Sequence, residues 1–177
     1  DNTSSCGIAW LMTIVSTSFA PYAFSVTEQS CAAGNLTLAH ELGHNMGLAH
    51  DIANASSPGA YLYAYGYQDP GYFRTVMAYA CSGVSCPRVS HFSTHTRTYG
   101  GRPTGVADAS ENARALNNTA STTANFRQAV QSCSYSISPT SATVAAGGGS
   151  GNVSVTAGTA CAWTATTRSG SASASRV

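Results

Sequence analysis

Three histidines and a glutamate, set close together, carry the most specific chemistry in this sequence. The segment reads His40-Glu41-Leu42-Gly43-His44-Asn45-Met46-Gly47-Leu48-Ala49-His50-Asp51. On a helix, residues four apart share a face one turn apart, so the imidazoles of His40 and His44 can reach one metal ion. Glu41 sits beside His40 and can point toward a water on that metal. Gly47 follows His44 by three residues. Lacking a Cβ, it can take a positive φ and end the helix in a sharp turn, which would return His50 as a third nitrogen ligand. Three protein ligands and one open position define a catalytic zinc site rather than a closed structural one. The plainer readings are a surface acid for Glu41 and an ordinary helix C-cap for Gly47, and the cap role is compatible with the metal site.

Those residues need a helix, and the sequence supplies one. Asn35 is placed to cap a helix from about Leu36 to Met46, with Leu38, Leu42 and Met46 as an apolar stripe four residues apart. Upstream, Cys6–Met12 and Ala23–Thr27 read as two short strands joined by a polar loop containing Pro21, suited to a sheet edge. From Ala53 to Phe73, glycines and prolines punctuate an alternating series of tyrosines. Irregular structure tied down by aromatic packing is expected there, with a strand as the weaker alternative. Asp108 and Glu111 have capping-box spacing, and a second helix is expected to about Gln128 with Ala113, Leu116, Ala120 and Ala124 inward.

Composition bounds the function classes. The chain has 177 residues and a net charge of +1. Only 8% is charged, where about a quarter is usual. All the basic residues are arginine. An extended electrostatic surface for nucleic acid is therefore not expected, and no apolar run is long enough to span a membrane. Six cysteines in a chain rich in Ser, Thr, Asn and Gly suggest an oxidised, exported protein. Proximity suggests Cys81–Cys86. The change of texture near Cys133 suggests Cys133–Cys161, and exclusion leaves Cys6–Cys31. No Ser, His and Asp are arranged as an obvious nucleophilic triad.

HELGHNMGLAHD resembles the long zinc motif of the metzincin metallopeptidases. The Asp directly after the third histidine resembles the reprolysin (adamalysin) branch, especially its secreted bacterial relatives. The resemblance implies Zn2+ held by His40, His44 and His50, with Glu41 as general base. It implies hydrolysis of peptide bonds in extended protein substrates by a zinc-activated water. RTVMAY implies a Met-turn at about residues 75–80, with Met77 beneath the metal. Tyr79, two residues on, has the spacing at which the astacin and serralysin branches place an auxiliary tyrosine, and a packing role is its alternative. Gly47 and Asp51 are implied as structural residues of the turn around His50. CGIAWL and AFSV resemble the strands before the zinc helix, one of them the edge on which substrate pairs. Val89–Phe92 resembles the wall of the pocket for the residue after the cut, although Phe92-Ser93-Thr94-His95 departs from the usual continuation. His91 and His95 read as surface histidines.

The fold class expected is α+β, a zincin-type catalytic domain lacking its N-terminal portion, followed by a partial all-β segment. The boundaries expected are 1–132 for the partial peptidase domain and 133–177 for an incomplete β-sandwich module or a disordered tail. Residues 134–177 resemble the start of a bacterial immunoglobulin-like module of the BACON type, with Trp163 as its core aromatic. That segment is shorter than the about 100 residues of a sandwich. Only 39 residues precede His40, fewer than the family places there, so a fragment of a larger precursor is expected, and a poor enzyme when isolated. The rival reading is a catalytically incomplete secreted fragment that binds a glycan or matrix through its C-terminal module. Oligomeric state and natural substrate are not legible.

Overall fold

A computed structural model describes residues 6–127, 133–159 and 161–166. The chain forms two compact units, Asp1–Gln128 and Ala129–Val177.

The first unit is a mixed α/β assembly of short elements. Strand β1 (Gly7–Ala9) pairs antiparallel with β2 (Ser25–Thr27), Ile8 opposite Val26. A 3₁₀ helix, Thr17–Tyr22, joins them and contains Pro21. A single helical turn, α1 (Gln29–Ala32), leads to α2 (Thr37–Asn45), the helix with His40 and His44. Strand β3 (Ala49–Asp51) then runs parallel to β4 (Tyr65–Gly66). Two further ladders follow, β5 (Gln68–Asp69) with β6 (Phe73–Arg74) and β7 (Thr98–Tyr99) with β8 (Arg102–Pro103). Helix α3 (Asn112–Ala124) closes the unit. The tyrosine-rich stretch is mostly irregular, as its glycines imply, and Tyr61 stacks on Tyr63 with ring centroids 5.1 Å apart. Tyr65 nevertheless enters a short strand.

The core is small: Leu48, Ala64, Val76, Met77 and Ala115, with Leu36, Ala39, Phe92 and Leu116 packed against it. Burying these side chains supplies the hydrophobic drive. Polar side chains complete it by binding the irregular backbone. Thr119 donates to the carbonyl of Met46 (2.9 Å) and Ser93 to that of Tyr65 (2.6 Å). Such loops would otherwise leave buried carbonyls without partners.

Four expectations about the helices are corrected. Leu38 and Leu42 are each 47% exposed, whereas Thr37, His40, Glu41, Gly43, His44 and Asn45 are buried. The inward face of α2 is thus its polar one. Asn35 does not cap α2. The cap position is Leu36, at φ 57° in the left-handed region, with no side-chain cap bond. Helix α3 buries Asn112, Ala115 and Thr119 rather than an alanine stripe, and Ala120 and Ala124 are exposed. Its expected capping box is also absent. The Glu111 carboxylate instead accepts from the backbone N–H of His95 (2.9 Å), and it pairs with the His95 ring as well.

The second unit holds β9 (Tyr135–Ser138) antiparallel to β10 (Ser154–Ala157), Val155 opposite Ile137. Three disulfides are present: Cys6–Cys31, Cys81–Cys86 and Cys133–Cys161. Trp163 is half-buried. The end of the expected C-terminal module, residues 167–177, lies outside the described residues. Among the described residues, no helix is long and apolar enough to cross a membrane.

Candidate metal centre

Helix α2 presents His40 and His44 one turn apart on its buried face, and the chain must then reverse to bring His50 back. Gly47 makes that reversal at φ 87°, and a Cβ there would meet the Cβ of Ala60 at 2.5 Å. Beneath the helix lies Met77, fully buried in the turn at Thr75–Ala78, where Ala78 N–H donates to the Thr75 carbonyl (3.0 Å). Its sulfur would stand 2.6 Å from a Cβ at Gly43, so helix and turn are in close contact.

The three imidazoles converge through their Nε2 atoms. His50 Nε2 lies 3.1 Å from both His44 Nε2 and His40 Nε2. Two of the other ring nitrogens are committed. His40 Nδ1 lies 2.8 Å from the carbonyl of Val76, and His44 Nδ1 lies 2.8 Å from that of Leu48. A carbonyl only accepts, so Nδ1 carries the proton in His40 and His44, and their Nε2 lone pairs are directed at His50 Nε2. Tetrahedral zinc with Zn–N of about 2.0–2.1 Å needs nitrogens roughly 3.3–3.4 Å apart, close to the spacing found. The donor set therefore fits zinc, and His40, His44 and His50 could hold it.

Burial keeps these rings neutral, as metal ligands must be. It pushes His40 down to about 3, its bond to Val76 opposing and the nearby His44, His50 and Arg88 adding. It pushes His50 down to about 4 and lowers His44 also. The Glu41 carboxyl moves the other way. Burial raises it to about 7, against the pull of the Arg88 cation. Glu41 packs under β1, with its Oε1 only 2.5 Å from where a Cβ on Gly7 would stand. Any side chain at position 7 would displace the carboxylate.

These shifts predict how the zinc-free chain responds to acid. Unfolded imidazoles take up protons below about pH 6.5, while folded His40 and His50 stay neutral to about pH 3 and about pH 4, and burial lowers His44 also. Acid therefore favours the unfolded state through them. Glu41 acts oppositely: its folded carboxyl is protonated from about pH 7 and its unfolded one only near 4.5, so acid favours folding through it. Three histidines outweigh one glutamate. The urea midpoint measured with a chelator present should fall between pH 7 and pH 5, and an unchanged or higher midpoint at pH 5 would contradict the burial of the rings.

Asp51 is buried behind His50. Its carboxylate accepts from the backbone N–H of Tyr79 (3.0 Å) and from the side chain of Asn54 (2.7 Å). It thus ties the segment carrying the third histidine to the segment after Met77. Tyr79 lies over His50, ring centroids 4.1 Å apart, and its side chain borders the cleft. The cleft is lined by His40, Glu41, His44 and His50, by Cys6–Ala9 of the first strand region, and by Thr37 and Arg88. His91 and His95 do not line it. The His95 side chain is 51% exposed. Sequence reasoning missed Thr37, the role of Gly7 above the carboxylate, and Arg88. No motif marks Arg88, although it is one of few charges in a weakly charged chain.

A buried carboxylate beside three converging imidazoles, in a cleft flanked by a strand, defines a site of the zinc hydrolase class. The sequence narrows the class. The profile described as metallopeptidase family M12 matches residues 1–93, and the chain belongs to that family. The family is zinc-dependent, and zinc is the metal this histidine set is suited to hold. A peptidyl-Asp metalloendopeptidase of Stenotrophomonas maltophilia is 42% identical over 131 residues, covering 72% of this chain and 30% of that protein. A protein of the same name from Xanthomonas campestris pv. campestris is 39% identical over 127 residues, 72% of this chain and 29% of that one. Another, from Pseudomonas fragi, is 41% identical over 103 residues, 57% of this chain and 65% of that one. The chain thus spans about 30% of the length of the first of these relatives. No solved structure matches it.

Proposed function

We propose that this chain carries the catalytic centre of a secreted zinc endopeptidase that cuts beside aspartate. The observation that carries the reading is the meeting of three Nε2 atoms next to the Glu41 carboxylate in an open cleft. His40, His44 and His50 would hold zinc, which when bound supplies a Lewis acid able to polarise a carbonyl and acidify water. Glu41 takes the proton of the attacking water and passes it to the departing amine. Its carboxyl, raised to about 7, is basic enough for the first transfer and acidic enough for the second. Tyr79, at the rim, offers a phenolic O–H to the oxygen on which charge develops. Met77, Gly47 and Asp51 hold the ligands in place.

Substrate binding follows from the sheet. Among the described residues, β1 pairs with β2 alone, and Gly7, Ile8 and Ala9 also line the cleft. An extended peptide adding to that edge would be held through its backbone. The aspartate preference is suggested by the name shared by the relatives. Secretion is suggested by the three disulfides. Residues 1–132 form the peptidase part in this reading, and residues 133–177 an appended immunoglobulin-like segment.

The reading is tested by incubating the zinc-loaded chain with an unfolded protein and mapping the new termini by mass spectrometry. Cuts clustered beside aspartate, abolished by a chelator, are expected. Termini unrelated to aspartate would reject the preference, and no new termini at all would reject the peptidase.

A further inference from the structure

Arg88 lines the same cleft as the three histidines and Glu41, and the chemistry above leaves it unused. Its guanidinium is held from behind by backbone. Nη1 donates to the carbonyl of Asn35 (2.8 Å) and Nη2 to that of Ala78 (3.3 Å). Its Nε is buried without a partner. The acids that pair with cations among the described residues are engaged elsewhere, Asp69 with Arg102, Asp108 with Arg114 and Glu111 with His95. Arg74 lies alongside across a parallel bridge and donates to the same Ala78 carbonyl (3.0 Å), so a second cation reinforces the first. The charge of Arg88 is felt at His40, Glu41 and His50.

Glu41 is near enough to interact with this cation but makes no direct ion pair with it, and a partly buried cation without a paired carboxylate is costly to a fold. Two carbonyls fix its position but do not neutralise it. A planar guanidinium held by backbone is prepared for a carboxylate by charge and by its fork of donors. We propose that Arg88 receives the side-chain carboxylate of a substrate residue adjoining the scissile bond, and that it is the residue that makes the enzyme select acidic sequences. This rests on the peptidase reading of the cleft. The substrate's own charge completes an ion pair that the chain leaves open. Selection then depends on charge rather than shape, so aspartate is preferred over asparagine, its neutral near-isostere.

The test compares two peptides that differ only in Asp or Asn at the cut, using zinc-loaded wild type, Arg88→Gln and Arg88→Lys, with zinc content as the control for folding. A hydrogen-bonded charge is worth about 10–150-fold. The wild-type ratio of kcat/KM for Asp over Asn should lie in that range, fall to within about 3-fold in Arg88→Gln, and be intermediate in Arg88→Lys, which keeps the charge but loses the fork. An unchanged ratio in Arg88→Gln would overturn the proposal. A second arm needs no turnover: calorimetric binding of the same peptides to Glu41→Gln and to Glu41→Gln/Arg88→Gln. Loss of the Asp advantage only in the double variant supports the proposal, and equal Asp advantage in both overturns it. If wild type cleaves neither peptide, the peptidase reading fails, and the binding arm still decides the role of Arg88.

Discussion

Glu41→Gln is expected to keep zinc and lose peptide cleavage by about 10²–10⁴-fold in kcat, the range over which a positioned acid or base contributes. The substitution is nearly isosteric, so the packing of position 41 beneath Gly7 should survive. Glutamine cannot accept a proton at neutral pH, so the water that must attack is not activated. In the proposed reading zinc is held by the three imidazoles and not by this carboxylate, so the metal-to-protein ratio should stay at the wild-type value. Steady-state kinetics and metal analysis on one sample separate the two effects. Cleavage at near wild-type rate would remove Glu41 from the reaction. Loss of zinc with activity would make it a ligand.

His44→Ala should have the opposite signature. Zinc should no longer copurify with the chain, and affinity should fall by more than the about 10–100-fold that removal of an outer-shell partner costs. The reason is geometric. His44 Nε2 is one corner of the nitrogen set, and its Nδ1 bond to Leu48 also fixes the turn that returns His50. Removing it deletes one ligand and loosens another. Metal analysis after dialysis is the measurement, and a full equivalent of zinc in the variant would overturn the ligand assignment.

The cluster of three histidines was legible because its members are local. His40, His44, Gly47 and His50 lie within one helix and one turn, so spacing alone suffices to bring them together. The resemblance drew attention to Met77, which lies buried against α2. The hydrophobic pattern of α2 misled for a physical reason. The helix buries the face that carries its ligands, so Leu38 and Leu42 are turned outward and a periodicity argument selects the wrong side. The same holds for α3, where Thr119 is buried because it bonds a loop carbonyl and Ala120 is left outside. Glu111 was assigned to a helix cap, but tertiary contact with His95 claims it. Arg88 was invisible because its meaning is relational. Asn35 and Ala78 hold it from distant parts of the chain, and no spacing reports that.

The most direct test is a zinc titration of the metal-free chain, with cleavage of an aspartate-containing fluorogenic peptide followed at each step. Turnover should be absent in the metal-free chain and rise in proportion to bound zinc, reaching its plateau at one zinc per chain. Cleavage that persists in the metal-free chain, or a chain that takes up one zinc and cleaves nothing, would contradict the account.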